Sequence, residues 1–126
     1  MKYLLILSIL FSACAVQYPA DYNKAGREAD NLNAPPTAVI QYQQGCMNYS
    51  NQKYPDAILN FTRAISYYSD FGAAYFFRGL IKVKLSQFDS AVVNLNRAGE
   101  LGYGEAFIYI EKIKKREKWE NIIINL

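Results

Sequence analysis

From Phe88 onward the apolar residues Phe88, Ala91, Val92, Leu95 and Ala98 fall three or four positions apart, with polar residues such as Asp89, Ser90, Asn96 and Arg97 between them. That spacing lays one apolar stripe along an α-helix. Tyr54, Ala57, Ile58, Phe61, Ala64 and Ile65 repeat the pattern almost residue for residue. The two stripes predict helices over 55–68 and 88–101, and the apolar stretches before each predict partner helices over 38–51 and 72–85. Pro55 suits a first helical turn, where its missing N–H is not needed, and Asp56 beside it favours the positive end of the helix dipole. Thr37, Asp70 and Ser86 offer N-caps, and Gly102 offers a left-handed stop after the last stripe.

The two stripes belong to a longer repetition. Gly45, Tyr54, Ala57, Phe61 and Ala64 return after 34 positions as Gly79, Phe88, Ala91, Leu95 and Ala98. A period of that length marks stacked helix pairs, in which each pair buries its apolar face on its neighbour. Gly45 and Gly79 have no side chain where the first helix of each pair crosses the second, and the four alanines keep the backbones close. A third segment, 105–120, begins like another first helix but carries Ile113 where the glycine would fall. It reads as a capping helix, with Phe107, Ile110 and Ile113 turned inward. Lys112, Lys114, Lys115, Arg116 and Lys118 solvate its outside, interleaved with Glu111, Glu117 and Glu120. The expected fold is all-α: a short α-solenoid of two helix-turn-helix units, 37–71 and 72–104, a C-terminal capping helix, and an apolar tail over 121–126.

These residues resemble the tetratricopeptide repeat, a helix-turn-helix unit with small residues at fixed places and aromatics between. Over 38–105, Gly45 and Gly79 fall on its small residue of the first helix, Tyr54 and Phe88 on an aromatic, and Ala57, Ala64, Ala91 and Ala98 on its small residues of the second. The sequence departs from that pattern at Gln44 and Arg78, at Asn48 and Lys82, and at Ser69 and Tyr103. Ala98-Gly99 and the run Leu101 to Ala106 also resemble the related Sel1-type repeat; both families are helical solenoids. The resemblance implies a concave groove lined by Tyr42, Cys46, Tyr49, Phe76, Leu80, Val83, Lys84, Phe107, Ile110 and Lys114, together with Val39, Ser50 and Ala73. Such a groove, aromatic with lysine at one edge, suits an amphipathic helix or extended peptide carrying an apolar anchor.

The first 36 residues have a different character. Lys2 is followed by an apolar run of nine residues from Tyr3 to Phe11, broken only by Ser8, and then by Phe11-Ser12-Ala13-Cys14. This reads as an export signal over 1–13, because a bilayer span needs about 20 apolar residues. The four residues ending at Cys14 resemble the lipobox of bacterial lipoproteins, whose cysteine is acylated after cleavage. Phe11 departs from the leucine usual there, and Ala13 with Ala15 permits ordinary cleavage instead. With Cys14 as anchor, two or three acyl chains hold the protein on a membrane, and Ala15 rather than Asp after it leans towards the outer membrane of a bacterial cell envelope. A secreted protein is the alternative. Residues 14–36, with Pro19, Gly26, Pro35, Pro36 and five Asn or Asp residues between Asp21 and Asn33, read as a flexible tether.

Composition narrows the functional classes. The formal charge of +3 on 126 residues includes Lys2, which leaves with a removed signal, so no global basic field points to nucleic acid. The chain has no histidine, and with it go the usual general base, metal ligand and triad member. No phosphate-cradling glycine loop is present, and two cysteines cannot complete a zinc quartet. Cys46 reads as a small buried residue. The expectation is therefore a non-enzymatic scaffold without metal or cofactor, holding an envelope protein or peptide segment. Its alternative is a self-assembling subunit that stacks head to tail into homo-oligomers.

Overall fold

The computed structural model describes residues 34–124, with side chains described as far as Glu117. The expected signal over 1–13, Cys14 and the tether up to residue 33 lie outside the described residues, as do the last two residues of the expected tail. Among the described residues five helices follow one another: α1 Pro36–Ser50, α2 Tyr54–Tyr67, α3 Gly72–Lys84, α4 Phe88–Glu100 and α5 Glu105–Ile124. Among the described residues there is no strand. Each helix packs on the next, making a short all-α solenoid of two pairs and a closing helix.

Helix starts differ from the sequence expectation in one respect: no side chain caps any of the first four. Pro35 is the N-cap of α1 and Pro36 its first residue. Proline needs no N–H partner there, so the helix begins before Thr37 and leaves that hydroxyl inside it. Asp70 does not cap α3. Its carboxylate accepts a bond from Arg97 at 3.0 Å instead, and Phe71 is the N-cap.

The ends explain Ser86. Beyond the C-terminus of α1, Gln52 has φ 59, and beyond α3 Ser86 has φ 57. At the first of these, the N–H of Lys53 donates to the carbonyl of Asn48 (2.8 Å) and that of Gln52 to Tyr49 (3.0 Å). After α3, Gln87 donates to Lys82 (2.9 Å) and Ser86 to Val83 (3.0 Å). Both are Schellman turns, closing orphan carbonyls with one residue in the left-handed region. Ser86 therefore ends α3 rather than starting α4. Gly102, φ 101, makes the same turn after α4, with Tyr103 donating to Ala98 (3.0 Å). The backbone of α5 runs on through Ile124, past the expected end at Glu120, so 121–124 continue the helix rather than forming a separate tail.

Within each pair the crossing is built as the repeated glycines require. A Cβ on Gly45 would lie 2.7 Å from the Phe61 ring, and one on Gly79 2.8 Å from Leu95. Ala57, Ala64, Ala91 and Ala98 are fully buried. Between the pairs, α3 is the hub. Phe77 points to the first pair, stacked on Phe61 (5.8 Å between ring centres) and near Tyr42 and Tyr49. Phe76 points the other way, to Tyr103 and Tyr109, both at 5.9 Å. Helices α1, α3 and α5 thus form one layer and α2 and α4 a second.

Candidate partner-binding face

The layer of α1, α3 and α5 carries the residues the sequence assigns to a groove, and the structure divides them. Tyr42 and Cys46 are 1% exposed. Tyr42 is enclosed by Phe61, Phe71 and Phe77, with Phe71 at 4.9 Å, and burial pushes the Cys46 thiol up to about 12, against a smaller opposing effect of its bond with Tyr42. Ala73, Phe76, Leu80 and Ile110 are buried too. These side chains hold the layer together and leave little surface for a partner.

The outer part of the face belongs to Tyr49, Val83, Lys84 and Tyr109, with Lys114 exposed farther along α5. Tyr49 is half-buried, edge-on to Phe77 at 5.5 Å and beside Tyr54 at 6.1 Å. Its phenol is pushed up to about 12, first by burial and then by the neighbouring Tyr54, Tyr109 and Cys46. It is therefore a neutral hydrogen-bond donor at any physiological pH. The Lys84 ammonium stands 6.0 Å over the Tyr49 ring and that of Lys112 5.4 Å over Tyr109. Two aromatic rings, each paired with a lysine, make an amphipathic strip whose cations are held near apolar surface. Phe107, expected to turn inward, is placed elsewhere: its ring lies over Gly99 at the seam between α4 and α5, where it leaves no room for a Cβ, and about half of it stays exposed.

A polar feature of each crossing escapes a reading that tracks apolar residues. Asn60 and Asn94, 34 positions apart, are both buried. Asn60 accepts from Asn48 (2.8 Å) and donates to Gln41 (3.1 Å) and Gln44 (3.4 Å). Asn94 accepts from the Arg78 Nε at 2.6 Å and donates to the Ser90 carbonyl at 2.7 Å. Gln44, Asn48 and Arg78, departures from the tetratricopeptide pattern, are among the partners of these asparagines. The signal was present in the sequence as Ala-Ile-Leu-Asn-Phe at 57–61 against Ala-Val-Val-Asn-Leu at 91–95.

Other concavities offer less. A hollow of about 510 Å³ at the start of α4 is lined by Ser86, Gln87, Phe88, Asp89, Ser90 and Glu117, with the Arg116 guanidinium 4.8 Å from the Phe88 ring centre. Among the described residues no three His, Cys, Asp or Glu side chains gather as metal ligands, and no helix is long and apolar enough to cross a membrane. Comparison of the chain with protein-family models, with curated proteins and with solved structures gave no match.

Proposed function

We propose that this protein is a non-enzymatic, tetratricopeptide-like adaptor of a bacterial cell envelope, exported and anchored by lipid on Cys14, that holds a segment of another envelope protein against the α1–α3–α5 layer. The observation that carries the reading is the strip of Tyr49 and Tyr109 with Lys84 and Lys112 over their rings. Half-buried tyrosines supply rigid contact area at low entropic cost, and the lysines over their rings favour a partner bearing carboxylates beside an apolar anchor. The two-pair stack below it supports the strip on helices rather than loops, which suits a site that binds without reorganising. Lipid on Cys14 confines the binding to one membrane, where a modest affinity is sufficient.

The test is a crosslinked affinity capture of the natively expressed protein from membranes, alongside a Tyr49→Ala/Lys84→Ala variant, with intact-mass analysis of the captured bait. The expected result is a bait beginning at acylated Cys14, one stoichiometric envelope protein with it, and loss of that protein in the variant. Recovery unchanged by the double substitution would refute the strip, and a bait without lipid would refute the anchor.

A further inference from the structure

Helix α1 carries a second surface, on the side opposite Tyr49 by the 100° step of an α-helix. Its equivalent on α3, shifted by 34 positions, is Ala74, Phe77 and Ile81, which are 0%, 1% and 0% exposed and face the first pair through the Phe77 contacts. On α1 the same three places hold Ile40, Gln43 and Met47. Ile40 is 51% exposed and Met47 56%, with Gln43 and Gln44 exposed between them. Among the described residues, the face that α3 buries has no helix pair against it on α1.

Charge decides what fits it. Every other helix carries ionised residues, but α1 has none in 15 residues. A head-to-tail stack would set this uncharged face on the outer side of α5, where Ile108 is exposed among Glu111, Lys112 and Lys115. Those charges would lose water without gaining a partner, which is costly. A second α1 imposes no such cost. We propose that two copies of this chain pair through α1, antiparallel about a two-fold axis passing between Gln43 and Gln44. Ile40 and Met47 are equidistant from that axis, so Ile40 of each copy packs on Met47 of the partner subunit, and the glutamines exchange amide hydrogen bonds at the centre. The symmetry is isologous and closes at two copies. A helix of 15 residues is only about 22 Å long, so the contact falls short of the ~800 Å² per partner of a standard interface. The pair is weak and exchanges rapidly.

Sedimentation velocity on the purified chain, from about 10 µM to about 1 mM, reads this directly. The wild type is expected to pass from monomer to dimer and stop there. Ile40→Lys/Met47→Lys sets lysine against lysine across the antiparallel seam and abolishes the dimer, whereas Ile40→Lys/Met47→Glu sets opposite charges together and retains it. Ile108→Lys leaves the dimer unchanged. Thermal unfolding followed by circular dichroism checks that these exposed positions tolerate substitution. Growth beyond two copies, or sensitivity to Ile108→Lys, would establish a head-to-tail contact and overturn the proposal. So would a monomer throughout, which would assign the face to another occupant such as the chain preceding α1. Because the seam lies opposite Tyr49, either result leaves the proposed partner strip to be judged by its own variants.

Discussion

The two helix pairs share a crossing but not an environment. In α1–α2 the glycine meets a phenylalanine and the buried asparagine is held by neutral amides; in α3–α4 the glycine meets a leucine and the asparagine is held by an arginine. Burial lowers the pKa of Arg78, opposed in part by the neighbouring Tyr75, without removing its charge at neutral pH. The larger contrast is on the outside. The face that buries Ala74, Phe77 and Ile81 in the second pair presents Ile40, Gln43 and Met47 to solvent in the first. A repeat specifies how its own two helices meet, and position in the stack determines which of its outer faces find a partner.

Deleting the large residue at each crossing should sharpen this contrast most. Phe61→Ala is expected to cost about 3–5 kcal/mol and Leu95→Ala about 2–5 kcal/mol, measured by urea unfolding. Phe61 should be the more costly, since it touches Tyr42 within its own pair and also Phe77 across the unit boundary. The reverse order would make the second crossing, rather than the aromatic junction, the centre of stability. Next come the glycines. Gly45→Ala and Gly79→Ala each add a Cβ within 2.8 Å of a buried side chain, and overpacking of about 1–3 kcal/mol exceeds the roughly 1 kcal/mol that alanine gains in a helix. A shift of the urea midpoint upward in either variant would show that crossing to be looser than the other.

A smaller effect, opposite in sign, should be equal in the two pairs. Gln52 and Ser86 occupy the left-handed region without being glycine, so Gln52→Gly and Ser86→Gly should each raise stability by about 1 kcal/mol, while alanine at either place should not. Alkaline pH separates the pairs again. Cys46 and Tyr49, both in the first, are held above their usual pKa by burial, each to about 12. The unfolded chain therefore releases these protons first, and stability falls as pH rises from about 9 towards 12. The fall should be shallower in Cys46→Ala, and its persistence unchanged would mean that the thiol does not contribute.

Much of this fold was legible because helix and repeat impose strict periods. The two stripes located α2 and α4 to within about a residue, and the recurring glycines located the crossings. What the period could not show are features without an equivalent one unit away. Phe77 has Gln43 as its counterpart and Phe71 has Thr37, so the aromatic junction between pairs leaves no repeated trace. Gly102 marked the turn after α4, but the Schellman turns after α1 and α3 were missed for another reason: their left-handed residues are Gln52 and Ser86, and backbone hydrogen bonds rather than glycine hold them there. The candidate face was legible only in outline. Family resemblance put Tyr42, Cys46 and Phe76 on one side of the layer with Tyr49 and Lys84, but in this chain the first three are buried, while Tyr49 and Lys84 reach the rim. Only packing distinguishes them.

Under the proposed function a partner lies on that rim and not on the layer of α2 and α4. A photocrosslinking phenylalanine analogue placed at Lys84, and separately at Val93 on the exposed side of α4, tests it in intact cells. One discrete adduct with a second protein is expected from position 84 and none from 93. The same adduct from position 93, with none from 84, would contradict it and place the working surface on the other layer.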